Sequence, residues 1–399
     1  MISPYFAYIF AFVLGLLTYQ LDWSNIYPTL NPLLILFIAT TFVVASYLGI
    51  SIKNDPRLEY HVANYIPSFK ITLASYFFWA LEMAYCQVIP IVKILRGDSY
   101  LYTDFEGIPS LHVIVYAFQI FFCTYLFHLY LCKKTKSTLC IYILNVMPFA
   151  LIFSRGGLTM VIISCFFVYI LSVSYTLNIA RLLNILLLKL VPFCMLFLLL
   201  FGALGNVRST SQLDDSDAGN SLILQVGEAT PKFYSSGVPA ELYWGYLYIS
   251  SPIANLQENI NSVTAKNIQV DFNHFISFIS NEILPDFISK RVNEVFGISR
   301  TGYSLIIPAL TVSTVYAGSY SHLSWIGIIL MAIFTMGFPK WYIPLLSVDN
   351  PLRVSGIAVL NSIYLLLLFD NMFRVSGMIL PLIYPILLAR FCKQKQSIS

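Results

Sequence analysis

Charge is the scarcest property of this 399-residue chain. Only 11% of its residues are Asp, Glu, Lys or Arg, while 58% are hydrophobic. A soluble globular chain carries about 25% charged and about 45–50% apolar residues, so a water-soluble fold is excluded. No Lys or Arg precedes Lys53, so a cleavable secretory leader is not expected and the first apolar segment is expected to stay in place. The seven cysteines (Cys86, Cys123, Cys132, Cys140, Cys165, Cys194 and Cys392) all lie in or beside apolar runs, which excludes a disulfide framework and implies no metal cluster. There is no Gly-rich phosphate loop, dinucleotide fingerprint, zinc-binding histidine helix or Gly-x-Ser-x-Gly elbow. Nucleotide hydrolysis, metal catalysis and serine hydrolysis therefore lack support, and no cofactor is expected. The net charge of +4 is carried by basic residues at segment ends, a topology signal and not a nucleic-acid footprint.

What is present is a series of apolar runs of the length an α-helix needs to cross about 30 Å of hydrocarbon. None shows the strict alternation of a transmembrane β-barrel. The expected fold is all-α: a polytopic transmembrane helix bundle of about eleven or twelve helices with one long polar loop. Segments are placed at residues 4–20, 31–49, 71–92, 109–131, 138–153, 157–175, 182–204, 302–318, 322–338, 355–369 and 375–390. The chain divides into N-terminal helices (1–204), the loop (205–301) and C-terminal helices with a tail (302–399). Lys53, Arg57 and Lys70 after the second segment, with Lys133, Lys134 and Lys136 after the fourth, put the N-terminus on the cytoplasmic side. Eleven crossings would then leave the basic tail (Arg390, Lys393, Lys395) outside, so the count calls for a further crossing or a re-entrant piece, in Tyr243 to Leu256 or around Trp341 to Ser347. The Tyr/Trp-rich stretch Glu241 to Ser250 reads as an interfacial helix ahead of a carbohydrate platform.

Several polar residues sit where polarity is expensive. Arg155, in Phe153-Ser154-Arg155-Gly156-Gly157, lies in a short hinge between two segments. A guanidinium there faces protein or water, its fork matches phosphate oxygens, and two glycines let backbone approach a ligand; an anchor in a tight turn is the plain alternative. Glu82, in the middle of the third segment, must be protonated, paired or facing a wet cavity. His112 opens the fourth segment and serves either as a base or as a helix cap. Arg208 precedes Gly219, and Arg291 precedes Gly302, with ten residues between in each case. Arg300 stands where the chain enters the eighth segment, and Arg374 sits at a segment edge too, with a simple i,i+4 helix pair to Asp370 as its plain alternative.

Ser154-Arg155-Gly156, the Arg-x10-Gly spacings, the stretch from Tyr246-Leu247 to Pro252-Ile253-Ala254-Asn255, and Arg374 before the last helix resemble the O-antigen polymerase (Wzy) family of bacterial inner membranes. Here both Arg-x10-Gly spacings fall in one loop, where the family's pattern divides them between two. The resemblance implies a multi-pass inner-membrane enzyme with its long loop in the periplasm. It implies a glycosyltransferase that moves a growing polysaccharide from undecaprenyl pyrophosphate onto a new lipid-linked oligosaccharide, with a chain-length regulator as a candidate partner. Arg155 with Arg291 or Arg300 would clamp the pyrophosphate, Arg208 and Arg374 would assist in binding, and Glu82, His112, Glu294 or His274 would take the acceptor proton. An O-antigen ligase shares these features, whereas a flippase needs no long external loop.

Overall fold

The computed structural model describes residues 3–63, 68–96, 105–176, 219–266, 271–299 and 302–389, and every element among them is helical, apart from one isolated antiparallel bridge between Ser24 and Ala229. Four helices are long and apolar enough to cross a membrane: α2 (Pro32–Ser51), α5 (Leu111–Lys133), α7 (Arg155–Thr176, of which residues 155–174 qualify) and α13 (Ala317–Leu345). Shorter apolar helices accompany them: α1 (Pro4–Tyr19), α6 (Lys136–Leu151), α14 (Arg353–Leu366) and α15, which opens at Ser376, passes through a 3-10 turn at Leu380–Leu382 and reaches Ala389. The segment at 182–204, with Arg208 and Arg300, lies outside the described residues.

Local chemistry sets the helix ends. Asn31 caps α2 by accepting from Leu33 N–H, with Pro32 at the first helical position, where a missing N–H costs nothing. At its far end α5 stops on Lys134, whose left-handed conformation lets its N–H reach Tyr130 O. The third expected segment, 71–92, is shorter than anticipated: α3 (Ser68–Cys86) breaks at Gln87, at φ 52°, and a short α4 (Pro90–Leu95) follows.

At the centre α1 packs against α2, α14 and α10 (Glu241–Lys266). Its tyrosines bring polar tips inside and satisfy them there. Tyr5 donates to Met336 O at 2.7 Å, and Tyr8 pairs with Thr41 Oγ1 at 2.9 Å and with Tyr316 at 2.8 Å. Gly15 makes room for Leu368, since a Cβ there would sit 2.9 Å from a leucine methyl. Nearly every residue of α14 is buried, as expected of a helix that is apolar on all sides.

Two sequence expectations fail here, for one shared reason. The Tyr/Trp stretch is not an interfacial helix, because Tyr243, Tyr246 and Leu247 are buried in an aromatic cluster with Trp23 and Phe233. Further along α10, Ser250, Ser251, Ile253, Ala254, Asn255 and Leu256 are also fully enclosed. The expected segment 302–318 is not a helix: residues 302–316 run as an extended and turning strap. Asn255 donates to Leu310 O at 2.8 Å and Val312 O at 2.7 Å and accepts from Ile306 N–H at 2.8 Å. Asn259 bonds both backbone groups of Ser304 at 2.8 Å. Helical hydrogen bonds are thus replaced by side-chain amides, so α10 reads as too polar for a core helix and the strap as apolar enough for a crossing. The following segment, expected at 322–338, is the longer α13, broken by non-helical backbone at Leu323 and Ser324 and running on through Trp341 without a separate crossing.

The helix ends define two faces. Arg353, at the start of α14, donates to Glu59 O at 3.3 Å and feels Asp55 and Arg57. Tyr60 meets Cys132 near the end of α5, and Leu388 of α15 packs in the same cluster as Ala63, Leu129 and Leu352. Lys53, Arg57, Lys133, Lys134, Lys136 and Arg353 therefore share one end. The start of α5 lies at the other, about 34 Å away at 1.5 Å per residue.

Replacing Asn255 with Leu keeps the volume and strands two carbonyls and one N–H in the core. The expected cost is about 3 kcal/mol or more, read as a lower denaturation midpoint in detergent micelles. An unchanged midpoint would mean that the strap holds itself.

Candidate functional site

Opposite the basic end, segments far apart in sequence bring their polar residues together. Glu82, near the end of α3, is fully buried, and its Oε2 lies 2.6 Å from His112 Nδ1. Glu82 thus has a partner, and that partner is another residue singled out by sequence. Aromatic rings of Trp79, Phe105 and Tyr116 surround the imidazole. Gly107, at φ 65°, lies so close that a Cβ would approach His112 to 2.7 Å. With Nδ1 committed to a carboxylate, Nε2 is the nitrogen left to exchange a proton, the division of labour found in carboxylate-oriented histidine bases.

Beside His112, Ser110 accepts from Arg291 Nη2 at 2.7 Å, while Arg291 Nη1 donates to Phe287 O at 2.5 Å. Arg291 belongs to α12 (Asp286–Phe296), an amphipathic helix laid across this end. Its first turn is fastened by Asp286 N–H to Arg374 O at 2.7 Å and by Phe287 N–H to Ser376 Oγ at 2.9 Å. One short helix thus connects Arg291, Arg374 and the start of α5.

Arg155 is the exposed first residue of α7. Ser154 before it accepts from Gly157 N–H at 3.3 Å and pairs with Tyr116 at 2.8 Å, and Tyr116 stands one turn after His112. Of the two glycines after Arg155, Gly157 serves packing: a Cβ there would meet Phe149 at 2.5 Å and the Tyr116 hydroxyl at 2.6 Å. Gly156 is exposed. Tyr248, stacked on Phe369, lies within electrostatic reach of both Arg155 and Asp370. Among the described residues no carboxylate pairs with Arg155 or Arg291.

Arg374 differs. It pairs with Asp370 at 3.0 Å, as the i,i+4 reading anticipated, although in a turn and not a helix. Burial lowers its pKa, but Asp370, Glu282 and Asp286 together carry it above the ordinary guanidinium value. Its guanidinium is thus already engaged by Asp370, which sets Arg374 apart from Arg155 and Arg291. His274 caps its own helix with Asp271, at 2.7 Å, and does not join His112.

Glu282 was missed by sequence reasoning. It is buried in a π-helical turn (Ile279–Ile283), a form that marks functional sites disproportionately. Asn371 donates to its backbone O at 2.7 Å and to Oε2 at 3.1 Å, His322 Nε2 lies 3.8 Å from Oε1, and Gly318 leaves the space its carboxylate fills. An ionisable residue in a candidate span was the available signal for His322. For Glu282 the only hint was a single acid in the run Phe278 to Leu284.

No family model, no curated protein and no solved structure matches the chain.

Adding a methyl at Gly107 drives a side chain into His112 and strains a left-handed backbone position. Gly107→Ala is expected to displace the imidazole from Glu82, observed as a changed His112 ring resonance in the histidine-labelled protein, while Gly237→Ala, in open space, leaves it unmoved.

Proposed function

We propose that the chain is an oligosaccharide polymerase of a bacterial inner membrane, transferring a growing glycan from its polyprenyl pyrophosphate onto a new lipid-linked repeat unit. The observation that carries this reading is convergence: Glu82, His112, Arg155 and Arg291 come from four separate helices and meet at one end, the end opposite the basic residues. Two guanidiniums without carboxylate partners among the described residues suit a diphosphate, and a buried carboxylate oriented on an imidazole suits a hydroxyl that must be deprotonated.

In this mechanism His112 Nε2 accepts the proton of the acceptor hydroxyl as its oxygen attacks the anomeric carbon of the donor. The new glycosidic bond forms, the bond from that carbon to the pyrophosphate oxygen breaks, and the pyrophosphate departs with both bonding electrons. Arg155 and Arg291 stabilise the charge that grows on it, where preorganised donors act most strongly. Glu82 holds the imidazole in one tautomer and stabilises its charged form. Arg374, neutralised by its acidic neighbours, positions α12 through its backbone carbonyl.

Topology supports the same reading. With residues 302–316 removed from the eleven expected crossings, ten remain. An even number would put the start of α1 and the end of α15 on one side, together with the basic residues, and on this reading the expected count is one crossing too many. The basic end is then cytoplasmic, and the site is periplasmic.

Arg155→Ala is expected to abolish polymer while leaving the protein in the membrane, and Arg155→Lys to rescue poorly because the bidentate fork is lost. The readout is a gel of surface glycolipids from a host lacking the gene and complemented with each variant. A ladder collapsing to core with a single repeat unit supports the polymerase; loss of that single unit points to a ligase or flippase instead; wild-type chain lengths would sink the clamp. His112→Ala is expected to lower the transfer rate by about 100-fold or more, within the range of general-base catalysis, and Glu82→Gln by less, in an assay with purified protein and lipid-linked oligosaccharide. Equal rates in all three would remove His112 from the reaction.

A further inference from the structure

Beneath α12 lies a groove of about 300 Å³ whose chemistry is one-sided. Val113 and Ile114 of α5, Phe287, Ile288 and Val292 of α12, and Leu380 of α15 line it. Its polar groups are Ser110 and Arg291, joined to each other at 2.7 Å. Ile114 and Ile288 are 53% and 38% exposed, so apolar surface beside a guanidinium is left uncovered at the end of the bundle where the candidate site lies.

A sugar would demand convergent donors and acceptors around its whole perimeter, whereas this groove offers one cation and one hydroxyl with an apolar remainder. Its volume is at the small end of ligand pockets, which fits part of a single chain and not the paired chains of a glycerophospholipid. We propose that it holds the first isoprenoid units of a polyprenyl phosphate, the phosphate lying against Arg291 and the Ser110 hydroxyl. This rests on the lipid-linked donor reading above and assigns its lipid to a place. Because α12 is pinned at its first turn to Arg374 and Ser376, the groove has a fixed roof, and a chain seated in it puts its phosphate two residues from His112 along α5.

The test uses the full chain in detergent and a long-chain polyprenyl monophosphate carrying no sugar, titrated by native mass spectrometry, with phosphatidylglycerol as competitor. The expected result is saturable binding that Val292→Trp, which fills the groove from the half-exposed face of α12, weakens about tenfold, and that Arg291→Ala weakens comparably. Val113→Trp fills the same space from the opposite wall and guards against a local effect of the first variant. Wild-type affinity in both tryptophan variants overturns the proposal, as does equal competition by phosphatidylglycerol, which would make the groove a general lipid surface. Binding through the groove by a protein that makes no polymer sinks the polymerase reading and leaves the groove. Full polymer from a groove-filled variant does the reverse.

Discussion

A backbone amide inside an apolar bundle must find a partner within the protein, and the structure turns on how one stretch without helical bonds meets that demand. Residues 302–316 run as a strap that is half-exposed over its first part and buried from Ser313 on, and Asn255 and Asn259 of α10 supply the donors and acceptors that a helix would have supplied internally. The strap also bonds to the end of the α14 segment, Val315 N–H reaching Leu367 O at 2.9 Å. Fixing it sets where α13 begins, and that start, through Gly318, abuts Glu282. The position of the acidic cluster near Arg374 is therefore a consequence of two asparagines in a helix that no hydropathy count would place in a core.

Electrostatics then sorts residues that look alike in sequence. Arg155, Arg291 and Arg374 stand at the same end of the bundle, yet Arg374 has three acidic neighbours while the other two have no ion-pair partner among the described residues. The same logic separates the histidines. His274 is tied to an exposed N-cap aspartate, His322 lies beside a buried glutamate deep in the bundle, and of these three His112 alone sets its Nδ1 against a fully buried carboxylate while staying partly exposed itself. A cation's worth to an anionic ligand depends on what already surrounds it, which residue identity does not record.

Much of the candidate site was legible. Glu82, His112 and Arg155 stand out because charge in an apolar run is costly enough to require a reason, and that cost is local. Their association was not legible, since Glu82 and His112 are 30 residues apart and meet only because α3 and α5 pack side by side. The aromatic stretch of α10 misled for a related reason: Tyr and Trp suit an interface and a buried cluster equally, and the contacts of Tyr243 and Tyr246 with Trp23 come from a chain segment more than 200 residues away. Glu282 escaped because a π turn leaves no periodic trace over five residues.

By itself the sequence determined the solvent this protein is built for and its helical class, because apolar length and scarce charge are sums over neighbouring residues and need no knowledge of packing. It also determined which end of the bundle is basic, since those lysines and arginines are bound to helix ends by chain order alone. Tertiary structure decided which apolar run is a strap and which polar helix is core, because only a partner supplied from elsewhere in the chain can replace missing backbone hydrogen bonds. It decided, by the same dependence on distant partners, which arginine is paired with an aspartate and which histidine meets the buried Glu82.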